Sequence, residues 1–127
     1  MPNRKRPPVG LRVREADTLR ACLAYLSACG IFHFRCNVQG VPLHSQPGRF
    51  RPAPSRGVAD IIGIVTVRGD GLQALPLAVE VKSSTGRQSP AQRAFQAKWE
   101  AAGGLYVLAR SVDELRNGLR DAGVEVR

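Results

Sequence analysis

The sequence predicts an α/β domain with elements in the order αβββαβ, a mixed four-stranded sheet flanked by helices, and an extra C-terminal helix. Three observations carry this prediction. Val58–Val67 and Pro76–Lys82 are apolar, β-branched runs separated by the one clear turn signal between them, Asp70-Gly71, as in a β-hairpin. A capped helix and a short apolar strand follow, so the last strand should lie parallel to the Pro76–Lys82 strand through a right-handed crossover. Ahead of the hairpin come a helix-period segment and an aromatic-rich strand.

Taken in order, residues 1–10 read as a flexible basic tail, with Pro7-Pro8 limiting regular structure, and residues 11–127 as a single domain. From Arg14 to Ala28, Ala16, Leu19, Leu23 and Leu26 recur at helical spacing, and Gly30 supplies the stop. Ile31–Val38 reads as a strand. Its period-2 pattern puts Phe32, Phe34, Cys36 and Val38 on one face, the expected core face, with Ile31, His33, Arg35 and Asn37 on the other. Residues 39–57 hold four prolines and three glycines with no periodicity, which predicts a long loop. Arg49, Arg51 and Arg56 make it a candidate grip on a phosphate backbone. His44 in the same loop has no partner that the sequence can name.

After the hairpin, Ser89-Pro90-Ala91-Gln92 has the form of a capping box with proline at the first helical position. The expected inward stripe of that helix is Ala91, Phe95, Trp99 and Ala102. Leu105–Ala109 is a short buried strand. Ser111-Val112-Asp113-Glu114 caps a last helix, with Val112, Leu115 and Leu119 inward.

Composition bounds the function classes. A chain of 127 residues with 43% apolar residues can bury a real core as one domain. No apolar run reaches the ~18 residues of a membrane span, and no hydrophobic segment follows the basic N-terminus as in a secretory signal. Cys22, Cys29 and Cys36 are odd in number, which suits a reducing cytosol. The spacing of Cys29, His33 and Cys36 matches no standard zinc pattern. Net charge is +9 and lopsided. Residues 1–57 hold 10 Lys/Arg against Glu15 and Asp17, a balance of +8, leaving +1 for residues 58–127. Such asymmetry points to a polyanion, nucleic acid before membrane.

The chemistry lies in three ionisable groups inside apolar strands. Buried charge must be paired, hydrogen-bonded or metal-bound. Glu80 and Lys82 share one face of their strand. If the hairpin turn is centred on Asp70, facing residues sum to 140 and Asp60 lies across from Glu80. An even loop would turn Asp60 to the other face, so an odd-length loop or a bulge is expected. Two carboxylates offer the hard oxygens that Mg²⁺ or Mn²⁺ prefers. Lys82 could orient or deprotonate an attacking water, or balance charge at phosphorus. The residues do not choose among these roles. Glu15, in the first turn of the first helix, is explained by the helix dipole alone and gains a metal-ligand role only from the site downstream. Gln92 is likewise explained as the partner of its cap.

The order αβββαβ, Glu15, Arg35 and Asn37, Gly57-Val58-Ala59-Asp60, Glu80-Val81-Lys82 and Ser89-Pro90-Ala91-Gln92 together resemble the PD-(D/E)XK nuclease superfamily. Within it they are similar to a stand-alone VRR-NUC (virus-type replication-repair nuclease) domain. The resemblance spans residue 15 to about residue 119 and implies a restriction-endonuclease-like core. Ala59 departs from the proline that the family name places before the aspartate. By the resemblance, Asp60, Glu80 and the Val81 carbonyl would bind the metal with help from Glu15. Lys82 would act on the water, and Gln92 would orient site or substrate. Arg35, Asn37, Arg87 and Arg93 join the loop arginines as nucleic-acid-binding candidates. The implied protein is a cytoplasmic, bacterial or phage-encoded endonuclease acting on DNA in replication, repair or recombination. Small members are structure-selective, some working as homodimers on four-way junctions. The alternative is a non-catalytic nucleic-acid-binding module on a degenerate nuclease scaffold, with Lys82 merely pairing Glu80. A subunit of a larger complex, suggested by the basic tail, is a third reading.

Overall fold

The computed structural model describes residues 14–36, 41–42, 50–51 and 57–126, with only the backbone at 41–42 and 50–51. Helix α1 spans Glu15–Ala28, followed by strands β1 (Phe32–Arg35), β2 (Val41–Pro42), β3 (Phe50–Arg51), β4 (Ile61–Arg68) and β5 (Leu72–Val81). Helix α2 (Pro90–Ala101), strand β6 (Leu105–Ala109) and helix α3 (Val112–Asp121) complete the chain. The fold is α/β. One mixed open sheet has the order β1-β4-β5-β6, antiparallel up to β5 and parallel between β5 and β6. Residues 39–57, expected as loop throughout, contain a two-stranded ladder, Val41 opposite Arg51 and Pro42 opposite Phe50. Strands of two residues are too short to show a period, so no pattern announces them.

The hairpin has the expected register. Ile61 faces Val79 and Arg68 faces Leu72, so opposing numbers sum to 140 around a three-residue loop, Gly69-Asp70-Gly71. Pro76 sits inside β5 without breaking the ladder. The Lys82 N–H, at an even position like Pro76, bonds toward β6, and β6 begins only opposite Leu77, so no β6 acceptor waits for the missing donor.

The core lies on one sheet face. Ile61, Val65, Leu77, Val79, Val81, Val107 and Ala109 pack there against Cys22 and Leu26 of α1 and Leu115 and Leu119 of α3. Each fully buried Leu, Ile or Val contributes roughly 1.5–3 kcal/mol. The inward stripe of α1 is Thr18, Cys22 and Leu26, rotated from the expected one; Leu19 and Leu23 flank it and Ala16 is exposed. The stop at Gly30 is as expected: its φ is 70°, and the Ile31 N–H reaches back to the Leu26 carbonyl. Cys22, Cys29 and Cys36 are free thiols, and burial pushes Cys22 up to about 11.

Helix α2 lies on the opposite face beside β6. Phe95 stacks on Trp99 at 5.4 Å and tilts against Tyr106, and the Trp99 indole N–H donates to the Leu105 carbonyl. None of its residues is fully buried, and Ala102, expected inward, is its exposed C-cap. The largest correction concerns β1. Phe32 and Phe34 are exposed, Ile31 is buried and His33 half-buried, the reverse of the expected core face. The alternation is as expected, but which face meets the helices is decided by the register with β4, where Phe32 faces Ile64 and Phe34 faces Ile62. Cys36 is half-buried; Val38 lies outside the described residues.

Candidate active site

The site forms where β4 begins and β5 ends. The Cys36 N–H donates to the Asp60 carbonyl at 2.7 Å, extending the β1–β4 pairing by one residue and fixing the Asp60 backbone. Continued by one step, the hairpin register sets Asp60 opposite Glu80, and Asp60 Oδ2 accepts the Val81 N–H at 2.7 Å. A strand residue points its N–H and C=O to the same side. The Val81 carbonyl therefore faces the side occupied by Asp60.

Glu80 is 2% exposed, in the stretch Leu77–Val81 that is buried on both faces. Its Oε1 accepts a hydrogen bond from Gln92 Nε2 at 2.9 Å and lies 3.6 Å from Lys82 Nζ. Its Oε2 is buried with no hydrogen-bond partner among the described residues. Burial, then the neighbouring Asp60 charge, pushes the Glu80 carboxyl up to about 8; the Lys82 ammonium pulls the other way. Lys82 itself is 14% exposed and leads into the Ser83–Gly86 turn. Arg110 Nη2 secures that turn by donating to the Gly86 carbonyl at 2.9 Å.

Gln92 is held from both ends. Its side-chain oxygen accepts the Ser89 N–H at 2.8 Å while its own N–H donates to Ser89 Oγ at 3.1 Å, a complete capping box. With the amide oxygen engaged there, the NH₂ group is the end that meets Glu80. The cap and the contact with the acid, which the sequence offered as competing explanations, coexist. Gly57 closes the arrangement. With φ 76°, it brings its segment so near the start of α2 that a Cβ would stand 2.3 Å from the Ala91 backbone.

Beside Asp60 opens a cavity of about 380 Å³ lined by Glu15, Ala16, Leu19, Arg35, Asp60 and Val81. Glu15 and Arg35, far apart in sequence, thus share a rim with Asp60. Arg87 and Arg93 are exposed near the start of α2, Arg93 donating to the Gln88 carbonyl. Asn37, Arg49 and Arg56 lie outside the described residues, as does the side chain of Arg51 and all of His44. Comparison with protein-family models, with curated proteins and with solved structures gave no match.

The residues present fit a hard divalent cation. An orphaned carboxylate oxygen, a second carboxylate and a backbone carbonyl on the Asp60 side are oxygen donors of the right kind. Among the described residues no three or more His, Cys, Asp or Glu side chains form a ready-made metal cluster. Few protein donors suit Mg²⁺, which keeps several of its waters. Cys29, His33 and Cys36 gather no zinc site either; His33 Nδ1 instead meets the Ile31 carbonyl at 2.7 Å. Sequence reasoning missed the network of Gln88, which donates to Gln96 and to the Tyr106 hydroxyl behind the site. Gln96, one turn from Gln92, was its visible trace. It also missed the charge partition. Residues 14–36 and 57–126 hold 11 Lys/Arg and 10 Asp/Glu, so all but +1 of the net charge belongs to residues 1–13, 37–56 and 127. No helix among the described residues is long and apolar enough to cross a membrane.

Proposed function

We propose that this chain is a Mg²⁺- or Mn²⁺-dependent DNA endonuclease of the PD-(D/E)XK superfamily and VRR-NUC type, cleaving branched or junction-like DNA. The observation that carries the reading is the pairing of Asp60 with a buried, half-satisfied Glu80, with Lys82 and Gln92 on the latter's other oxygen. A dry carboxylate with an empty lone pair is a poor structural element and a good cation ligand.

Asp60, Glu80 and the Val81 carbonyl would hold the cation, with Glu15 at the cavity rim. When bound, it would polarise a phosphoryl oxygen and make a water acidic enough to attack at neutral pH. Gln92 fixes the Glu80 carboxylate through Oε1, which would leave Oε2 free to serve the cation. Lys82 orients the attacking water and balances the negative charge that builds on phosphorus. Arg35 holds the incoming strand at the same rim. Residues 1–13 and 37–56 deliver the DNA. In sequence they adjoin Arg14, Cys36 and Gly57, and they carry seven of the basic side chains.

The deciding experiment incubates the protein with branched and linear DNA, with and without chelator. Cutting that needs Mg²⁺ or Mn²⁺ and disappears in Asp60→Asn, Glu80→Gln and Lys82→Ala, while DNA binding stays, is the expected result. Chelator-resistant cutting, or none on either substrate, refutes it. The 3.6 Å approach of Lys82 to Glu80 favours a second reading, a binding module in which the two only pair. There the same variants leave every activity intact.

A further inference from the structure

The sheet face that carries Glu80 is divided. On the β6 side α2 covers it through Phe95, Trp99 and Gln92. On the β1 side it is open. Phe32 is 68% exposed, Phe34 51% and Ile64 53%. The register places these residues on the Glu80 face, since Phe34 faces Ile62, which faces Ala78, two positions before Glu80. The two rings stand 6.4 Å apart with planes at 66°. Phe34 is two residues before Cys36, whose N–H bonds Asp60. At about 3.3 Å per residue its ring lies about 7 Å along the strand from the acids. Arg35, between Phe34 and Cys36 in sequence, is exposed on the other face of the strand and lines the cavity beside α1.

We propose that Phe32 and Phe34 form a stacking platform for unpaired nucleobases, holding single-stranded nucleic acid on the open sheet face while its backbone passes Asp60 and Glu80. The path past the acids rests on the nuclease reading; the base contact does not. Exposed aromatic rings next to a site for phosphate chemistry are what sequence-tolerant strand binding uses. Area argues against a second copy of the chain as the occupant. With Leu72, 63% exposed on the same face, and at roughly 200 Å² per large apolar side chain, the four exposures leave about 470 Å² open, well under the ~800 Å² per partner of a stable interface. That patch is ample for one or two bases. It would also give a branched substrate, with its unpaired nucleotides, a contact that plain duplex lacks.

The test uses the full chain carrying Asp60→Asn, in chelator, so that binding is read without cutting. Fluorescence anisotropy compares a labelled oligothymidylate with an abasic strand of the same length. The abasic strand should bind at least about five-fold more weakly. Phe32→Leu with Phe34→Leu, which keeps apolar bulk at exposed positions, should abolish that difference and leave duplex binding unchanged. Two results overturn the platform: equal binding of both strands by the parent protein, or a base preference that survives the leucine variant. A third is a dimer in sedimentation that Phe34→Asp splits while base preference persists. Failure of the nuclease reading looks different. A protein that cuts no DNA, yet shows the base preference and loses it on the leucine change, keeps the platform and sinks the enzyme.

Discussion

Glu80→Gln should make the metal-free protein more stable at alkaline pH, although the change removes the residue on which the proposed activity depends most. The folded carboxyl is raised from 4.5 to about 8, chiefly by burial. Between those two values the folded state binds a proton that the unfolded chain has released. Stability therefore falls as pH rises through that window and levels off above about pH 8. At about 1.4 kcal/mol per pKa unit the full loss is on the order of 5 kcal/mol. Glutamine keeps the shape and cannot ionise. The assay is urea unfolding of both proteins in chelator across the window, followed by tryptophan fluorescence of Trp99. The parent should lose stability with rising pH and the variant should not, so that the curves diverge by several kcal/mol. Saturating Mg²⁺ should flatten the parent's curve, because the cation stabilises the ionised carboxylate. Parallel curves in chelator would refute the account of Glu80 as a dry, uncompensated acid.

Asp60→Asn keeps an oxygen for the Val81 N–H, so the melting temperature should hold while cleavage drops at least about a hundred-fold, several kcal/mol of lost stabilisation. Ser89→Ala should cost about 1 kcal/mol as a lost cap and also lower cleavage, because the Gln92 amide is no longer oriented; Ser89→Thr should restore both. A cleavage rate unmoved by Ser89→Ala would separate the cap from the site. Gly57→Ala meets the Ala91 backbone at a positive φ and should destabilise by about 1–3 kcal/mol while displacing Gln92, read as a lower melting temperature together with slower cutting. Since residues 14–36 and 57–126 are nearly neutral, removing residues 1–13, with four basic side chains, should reduce the log–log salt slope of DNA binding by up to about 4. An unchanged slope would place the phosphate contacts elsewhere.

What the sequence determined alone was local and periodic. The α/β order, the caps at Ser89 and Ser111, and the odd-length turn at Asp70 follow from residue types and spacing. Because side chains on a strand alternate strictly, the turn then sufficed to put Asp60 across from Glu80. What only the tertiary structure decided was which surface of each element meets another. Phe32 and Phe34 read as core by hydropathy, yet register on β4 turned them outward, and α1 buries Thr18 and Cys22 more deeply than the expected Leu19 and Leu23. Nothing local records that Glu15 and Arg35 share a cavity with Asp60, or that the Gln92 amide serves its helix cap and Glu80 at once. Such facts depend on contacts between segments distant in sequence, and those are set by the packing of whole faces, which no window of neighbouring residues encodes.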